Sequence, residues 1–307
     1  MPVVIVAPGQ GSQTPGFLTP WLVEPAFADH LDALSDAAEL DLRAHGTQSD
    51  ADTIRDTAVA QPLIVAASIL SLAAVLSEGR RGRLHGIAGH SVGELAAATG
   101  AGILTEATAM TLVRERSRAM ASAAAQVRTG MSAVLGGDES TLQERLGELG
   151  LFPANFNGGG QVVVAGELPA LDALKAAPPR GARVIPLQVA GAFHTRYMAP
   201  AVEALRAVAD GVETADPVVR IWTNRDGSRV TSGRGFLDLV VGQVASPVRW
   251  DRTMTSLAEE GVTGLIELAP AGALAGLARR GLPGVPTVAV KTPDDLAAAH
   301  ELLDAAA

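Results

Sequence analysis

The stretch LHGIAGHSVGELAAATG, Leu84 to Gly100, leaves the chain around it little freedom. An apolar run, Leu84–Ala88, meets a helical run, Gly93–Gly100, across Gly89-His90-Ser91-Val92-Gly93. A strand that becomes a helix in so few residues presses backbone against backbone, and a glycine on either side has no Cβ to obstruct the approach. Ser91 is then pushed into a strained, exposed position at the helix N-terminus. There the free Val92 amide and the helix dipole favour negative charge formed beside its hydroxyl. The bare G-x-S-x-G pentapeptide arises by chance in a chain with 33 glycines. The strand before it and the helix after it are what mark Ser91 as a candidate nucleophile.

Other strand-like runs lie at Pro2–Ala7, Val218–Thr223, Thr263–Ala269 and Val285–Val290. Helix candidates lie between them at Gln61–Ser77, Thr105–Ala125, Arg196–Ala209 and Asp294–Ala306. The first strand and the last two are apolar along their length, as strands covered on both faces are, so the alternation predicts an α/β domain with a largely parallel sheet. From about Val127 to Ala190 the order changes to βαββαβ, the ferredoxin-like pattern, with Asn157–Gly160 supplying the central hairpin turn. The expected organisation is a large domain of residues 1–126 and 191–307, interrupted by a small one of residues 127–190.

Composition narrows the classes. Hydrophobic residues at 48% against 19% charged supply a sizeable core and exclude a disordered chain. A net charge of −9 without a basic tract argues against nucleic acid as a partner, so any anionic ligand has to be met by a local cation. The absence of cysteine removes disulfides, thiolate nucleophiles and cysteine-ligated metals, and fits the cytoplasm as the expected location. No basic n-region or cleavage site precedes the first strand, so no signal peptide is expected. The apolar run Pro62–Leu76 is broken by Ser68 and Ser71 and falls short of the roughly 20 residues a bilayer needs, so it reads as a buried helix and no membrane is expected.

The N-terminal VVIVAPGQGSQ, Val3 to Gln13, runs from a strand into closely spaced glycines, as phosphate-binding loops do. The dinucleotide template G-x-G-x-x-G finds Gly9 and Gly11 but then Thr14, and no G-x-x-x-x-G-K-[ST] loop occurs. A nucleotide-binding module is therefore a poor fit.

A serine nucleophile needs a base. Of six histidines, His30, His45 and His300 lie in polar segments, His85 starts the strand at the end away from the turn, and His90 adjoins the serine and should diverge from it. His194 remains, at the junction where the chain re-enters the large domain. No acid stands out as its partner. Asp172 is the nearest preceding aspartate but lies in a polar helix, and a backbone carbonyl is the other way to orient the imidazole.

The helix Thr105–Ala125 carries an anomaly. Its polar stripe is Thr108, Thr111, Glu115, Arg118 and Ser122, and Arg116 falls in the middle of the opposite, apolar stripe. A buried guanidinium without an anion is very costly. Two readings fit: a structural ion pair with a buried acid such as Glu94, or a fork for a substrate carboxylate. A serine esterase or thioesterase that uses water as acceptor would share the Ser91 turn but has no need of Arg116 on that face.

These residues resemble the malonyl-CoA:acyl carrier protein transacylases and the related acyltransferase domains of polyketide synthases. The matching pieces occur in order: GQGSQ (Gly9–Gln13), GHSVGE (Gly89–Glu94), VRERS with Arg116, NFN (Asn155–Asn157), GAFHT (Gly191–Thr195) and QVASPVRW (Gln243–Trp250), with the likeness continuing through ELAPAGALAGLARR. The resemblance implies an α/β-hydrolase-like core with an inserted ferredoxin-like subdomain. It implies a ping-pong reaction in which Ser91, activated by His194, takes malonyl from malonyl-CoA and passes it to the pantetheine thiol of an acyl carrier protein. The backbone amides of Gln10 and Val92 would form the oxyanion hole, Arg116 would hold the malonate carboxylate, and the Gln243 carbonyl would orient His194. Asn155 and Asn157 would be active-site residues, their alternative being plain hairpin positions. Phe193, before the base, resembles malonyl-selective sites, which carry no serine there. The family also implies a cytoplasmic monomer that needs no cofactor. Its acidic carriers would need a local basic patch, for which Arg80, Arg81 and Arg83 or Arg279 and Arg280 are candidates, solvated charge clusters being the alternative.

Overall fold

A computed structural model describes residues 2–305. Two sheets organise it. Strands β1 (Val3–Ala7) and β2 (Leu84–Gly89) begin the first sheet, while β3 (Thr129–Gly136), β4 (Phe152–Gly158), β5 (Gln161–Glu167) and β6 (Ala182–Pro186) make up the second. The chain then returns to the first sheet with β7 (Arg220–Ile221), β8 (Gly264–Glu267) and β9 (Thr287–Ala289). The first sheet has the order β7-β2-β1-β8-β9 and is parallel throughout. Every residue of β1 is buried, as expected of an unbroken β-branched run in the middle of such a sheet. The open α/β core and the separate second sheet agree with the predicted fold class.

Helices cover the first sheet: α1 (Thr57–Val75), α2 (Gly93–Gly100) and α3 (Glu106–Gln126). The long apolar α1 is enclosed by the core along nearly its whole length. It starts at Thr57 and not at Gln61, because the Asp56 carboxylate caps it by accepting from the Ala58 amide. The expected strand Val218–Thr223 pairs with β2 only at Arg220 and Ile221. It is the sheet edge, where Val218 is 75% exposed and its amide bonds Ala101 in the loop after α2, off the ladder. The helices expected from Arg196 and from Asp294 each begin with a 3₁₀ turn, and continue as Ala199–Ala209 and Leu296–Asp304. Ala306 of the last expected helix, and residues 1, 306 and 307 of the expected large domain, lie outside the described residues.

The second sheet is antiparallel, in the order β4-β5-β3-β6, with α4 (Glu139–Leu149) and α5 (Leu168–Ala176) on one face. Strand alternation sorts its side chains. Val134 and Val164 pack with Leu142, Leu146, Leu171 and Leu174 on the helical side. Ala133, Val163 and Asn155 are paired across β3, β5 and β4 and face the other way, toward the first sheet. The second sheet is tied to the chain just before Trp250, where Phe156 donates to the Val248 carbonyl and Val248 to that of Ala154. Two later helices complete the frame of the site: α6 (Gly233–Gln243) and α7 (Ala273–Gly281).

Candidate active site

Between the open face of the second sheet and the carboxyl ends of β1 and β2 lies a cavity of about 480 Å³, within the size range of small-molecule sites. Gln10, Ser91, Val92, Asn155, Asn157, Phe193 and His194 all line it. Arg116 and Gln243 are buried one layer behind it, in contact with Ser91 and His194 respectively.

Ser91 occupies the tight turn between β2 and α2 with φ of 54°, a left-handed conformation that costs a non-glycine residue roughly 1–2 kcal/mol. The two flanking glycines explain how so close a turn is built. A Cβ on Gly89 would lie 2.1 Å from the Gly93 carbonyl carbon, and one on Gly93 would lie 2.3 Å from the Ala7 oxygen. His194, also at positive φ (61°), approaches from the other side. Its Nε2 lies 2.8 Å from Ser91 Oγ, and its Nδ1 lies 3.0 Å from the Gln243 carbonyl at the end of α6. A carbonyl can only accept, so the proton of the neutral ring sits on Nδ1. Nε2 is then the lone pair that receives the Ser91 hydroxyl. No carboxylate takes part, and Asp172 is exposed on α5.

Burial, and after it the nearby Arg116 charge, push the His194 pKa down to about 3, so the ring is neutral at physiological pH. The other histidines are engaged elsewhere. His90 turns from Ser91 to donate from Nε2 to Asn157 Oδ1 at 3.0 Å, while His30 pairs with Glu106, His45 with Ser49, His85 with Glu260, and His300 with the Ala74 carbonyl.

Arg116 is 1% exposed in the middle of the apolar face of α3. One terminal nitrogen donates to Ser91 Oγ at 3.2 Å and the other to Gln61 Oε1, while its Nε has no partner among the described residues. Burial lowers its pKa to about 10, which leaves it charged at neutral pH. Arg116 and Glu94 form no ion pair, though the Glu94 charge is near enough to raise the Arg116 pKa against burial. Glu94 Oε1 instead accepts the Asn224 amide at 2.9 Å, and burial pushes this carboxyl up to about 8. A buried cation beside the hydroxyl, with no carboxylate on it, is an arrangement that an anionic ligand completes.

The loop after β1 contributes Gln10. Gly11 takes φ of 107°, and the Gln10 side chain turns away to the Arg55 carbonyl and Thr57, leaving its backbone toward the cavity. Among the described residues neither the Gln10 nor the Val92 amide has an acceptor. Two free amides beside a hydroxyl suit an oxygen that gains charge during reaction. Asn155 and Asn157 stand on the cavity face of β4. Asn155 Oδ1 is buried without a partner.

Gln61, which orients Arg116, and Asn224, which accepts the Ser91 amide at 2.7 Å, do not stand out in the sequence. Gln61 carries one signal, a polar residue inside an otherwise apolar run; Asn224 lies in a polar turn and carries none. Of the two basic clusters, Arg80 and Arg83 are paired with Asp304, and Arg81 donates to the Gly100 carbonyl. Arg279 and Arg280 are exposed at the end of α7 without an ion pair among the described residues, and Arg280 lines the cavity mouth.

Residues 4–292 match the acyl transferase domain family. The chain belongs to that family. It is 50% identical over 298 residues to the malonyl CoA-acyl carrier protein transacylase of Mycobacterium tuberculosis, covering 96% of this chain and 98% of the relative. The crystal structure of MCAT from the same organism superposes with a TM-score of 0.94 at 48% identity, covering 98% of this chain and 100% of that one. A malonyl-transacylase in complex with a type II PKS acyl-carrier protein superposes at 0.91 with 31% identity, covering 98% and 99%. The chain is an acyltransferase.

Proposed function

We propose that the chain transfers malonyl from malonyl-CoA to the pantetheine thiol of an acyl carrier protein, through a malonyl ester on Ser91. The observation that carries this reading is the buried Arg116 guanidinium, without an ion pair among the described residues, 3.2 Å from Ser91 Oγ, itself 2.8 Å from His194 Nε2. An esterase for neutral acyl groups gains nothing from a desolvated cation beside its nucleophile. An acyl group that ends in its own carboxylate supplies the missing counter-ion. The names of the M. tuberculosis relative and of the carrier-bound neighbour support the same substrate and acceptor.

In the first half-reaction the Ser91 proton passes to His194 Nε2 as Oγ bonds the thioester carbonyl carbon. The oxyanion develops between the Gln10 and Val92 amides, at the positive end of α2. Collapse breaks the C–S bond, and the imidazolium returns its proton to the coenzyme A sulfur. The carrier thiol then reverses these steps, giving its proton to Nε2, taking the acyl carbon and restoring the Ser91 hydroxyl. No step calls for a cofactor. Fatty acid synthesis, and polyketide synthesis where such carriers are present, would consume the product in the cytoplasm.

Intact-mass measurement after mixing with malonyl-CoA is the direct test. A single malonyl adduct is expected on the parent protein, discharged on adding a carrier bearing its pantetheine thiol, and none on Ser91→Ala. An adduct on Ser91→Ala, or one that only water discharges, defeats the transferase reading. Phe193, buried on the cavity wall beside the base, is a bulky side chain that would crowd an α-methyl group. Malonyl-CoA should therefore be preferred over methylmalonyl-CoA by about 1–3 kcal/mol in kcat/KM, and equal values for the two would remove Phe193 from that role.

A further inference from the structure

Asn224 is fully buried and lies outside the cavity lining, yet it is bonded to both sides of the Ser91 turn. Its Oδ1 accepts the Ser91 amide at 2.7 Å and its Nδ2 donates to the Gly89 carbonyl at 2.7 Å. Only this orientation of the side-chain amide satisfies both partners, since one is a donor and the other an acceptor. Asn224 is itself fixed: its amide donates to Glu94 Oε1 at 2.9 Å, on the first turn of α2, and its carbonyl accepts the Arg249 amide at 2.8 Å. The two-residue strand β7 delivers it, running beside β2 so that the chain three residues beyond Ile221 is level with the turn.

Resting on the reading of Ser91 as nucleophile, we propose that Asn224 is a positioning residue for it, with two effects. It holds Ser91 in the left-handed conformation that aims Oγ at His194. It also occupies the Ser91 amide, so that this N–H cannot turn toward the developing oxyanion and the hole is built from Val92 and Gln10. A side-chain amide bridging Gly89 and Ser91 resists the relaxation by which a strained non-glycine residue would leave positive φ. Small displacements of a nucleophile are expensive in rate.

The test compares the parent with Asn224→Ala and Asn224→Asp, whose carboxyl, once protonated, keeps both an oxygen to accept the Ser91 amide and a donor for the Gly89 carbonyl. Single-turnover acylation by malonyl-CoA is expected to slow by about thirtyfold or more in Asn224→Ala with KM changed less than about threefold, because the acyl-binding groups are untouched. Reaction with a small phosphonofluoridate, which needs Ser91 and the hole but not Arg116, should slow in the same proportion. At a pH low enough to protonate the new carboxyl, Asn224→Asp should recover about tenfold of the loss or more. Parent-like acylation in Asn224→Ala, a loss confined to KM, or no recovery in Asn224→Asp each overturns the proposal. Should Asn224→Ala not fold, the parent decides by NMR: the Ser91 amide should be protected from exchange and unmoved by the phosphonate adduct, while the Val92 and Gln10 amides shift. A Ser91 amide shift as large as theirs overturns the assignment. Absence of any adduct on Ser91 in the parent would instead take down the nucleophile reading beneath it.

Discussion

Replacing His194 by alanine is expected to lower kcat for malonyl transfer by about 10²–10⁴-fold, the range for loss of a general base, with KM little altered. Both half-reactions should slow, since Nε2, held 2.8 Å from Ser91 Oγ, takes the serine proton in the first and the carrier thiol's proton in the second. The pH dependence follows from burial. The ring acts as a base only when neutral, and its pKa is depressed from 6.5 to about 3. Activity is therefore present above that lower value and is lost only as pH falls through it. Single-turnover acylation of the parent should show no inflection near the ordinary histidine pKa of about 6.5. A clear inflection there, or a His194→Ala variant within about tenfold of the parent, would mean that another group takes the proton.

Arg116→Ala is expected to separate acyl groups by charge. Truncating one partner of a buried, hydrogen-bonded charge pair costs about 2–5 kcal/mol, which is roughly 30- to 5,000-fold in kcat/KM for malonyl-CoA. Acetyl-CoA, with no carboxylate, should lose far less, so the preference between the two narrows. The same variant carries a second signature. The Arg116 charge is, after burial, the largest influence lowering the His194 pKa, so removing it raises that pKa and moves the acid limb toward neutrality. Arg116→Lys keeps the charge without the planar fork, and should fall between parent and alanine for malonyl-CoA while leaving the acid limb near its parental position. Equal losses for malonyl and acetyl substrates would assign Arg116 to holding Ser91 alone.

Ser91 and Arg116 stand out in the sequence because each breaks a local rule. Ser91 sits between glycines that no ordinary strand or helix needs, and Arg116 interrupts the apolar stripe of an otherwise regular amphipathic helix. His194 came from the positions of the other five histidines, all of which have partners away from Ser91 Oγ. The parallel core and the antiparallel second sheet were readable from unbroken apolar runs in one and from strand–helix order in the other. The Gln243 carbonyl was not readable from residue type, because a backbone oxygen carries no side-chain signal, and only the family likeness pointed to it. Asn224 was hidden for a different reason. It lies in the polar turn that follows an edge strand of two paired residues, where the pattern gives no hint that the side chain points inward. Gln61 shows how a capped start can be misread: α1 begins four residues before it, which places it inside the helix and facing Arg116.

The register row of Ala133, Val163 and Asn155 sets the cavity wall opposite Ser91 on a stretch of chain between the two that hold Ser91 with Arg116 and Gln243 with His194. Exchanging Ala133 or Val163 for a larger or smaller residue changes the room for an acyl group without altering any hydrogen bond of Ser91 or His194. Reactivity and acyl choice can thus be altered in separate mutational steps. A lineage could try new acyl groups by drift in the inserted strands while its reactive half stays constant, and a protein engineer could follow the same route.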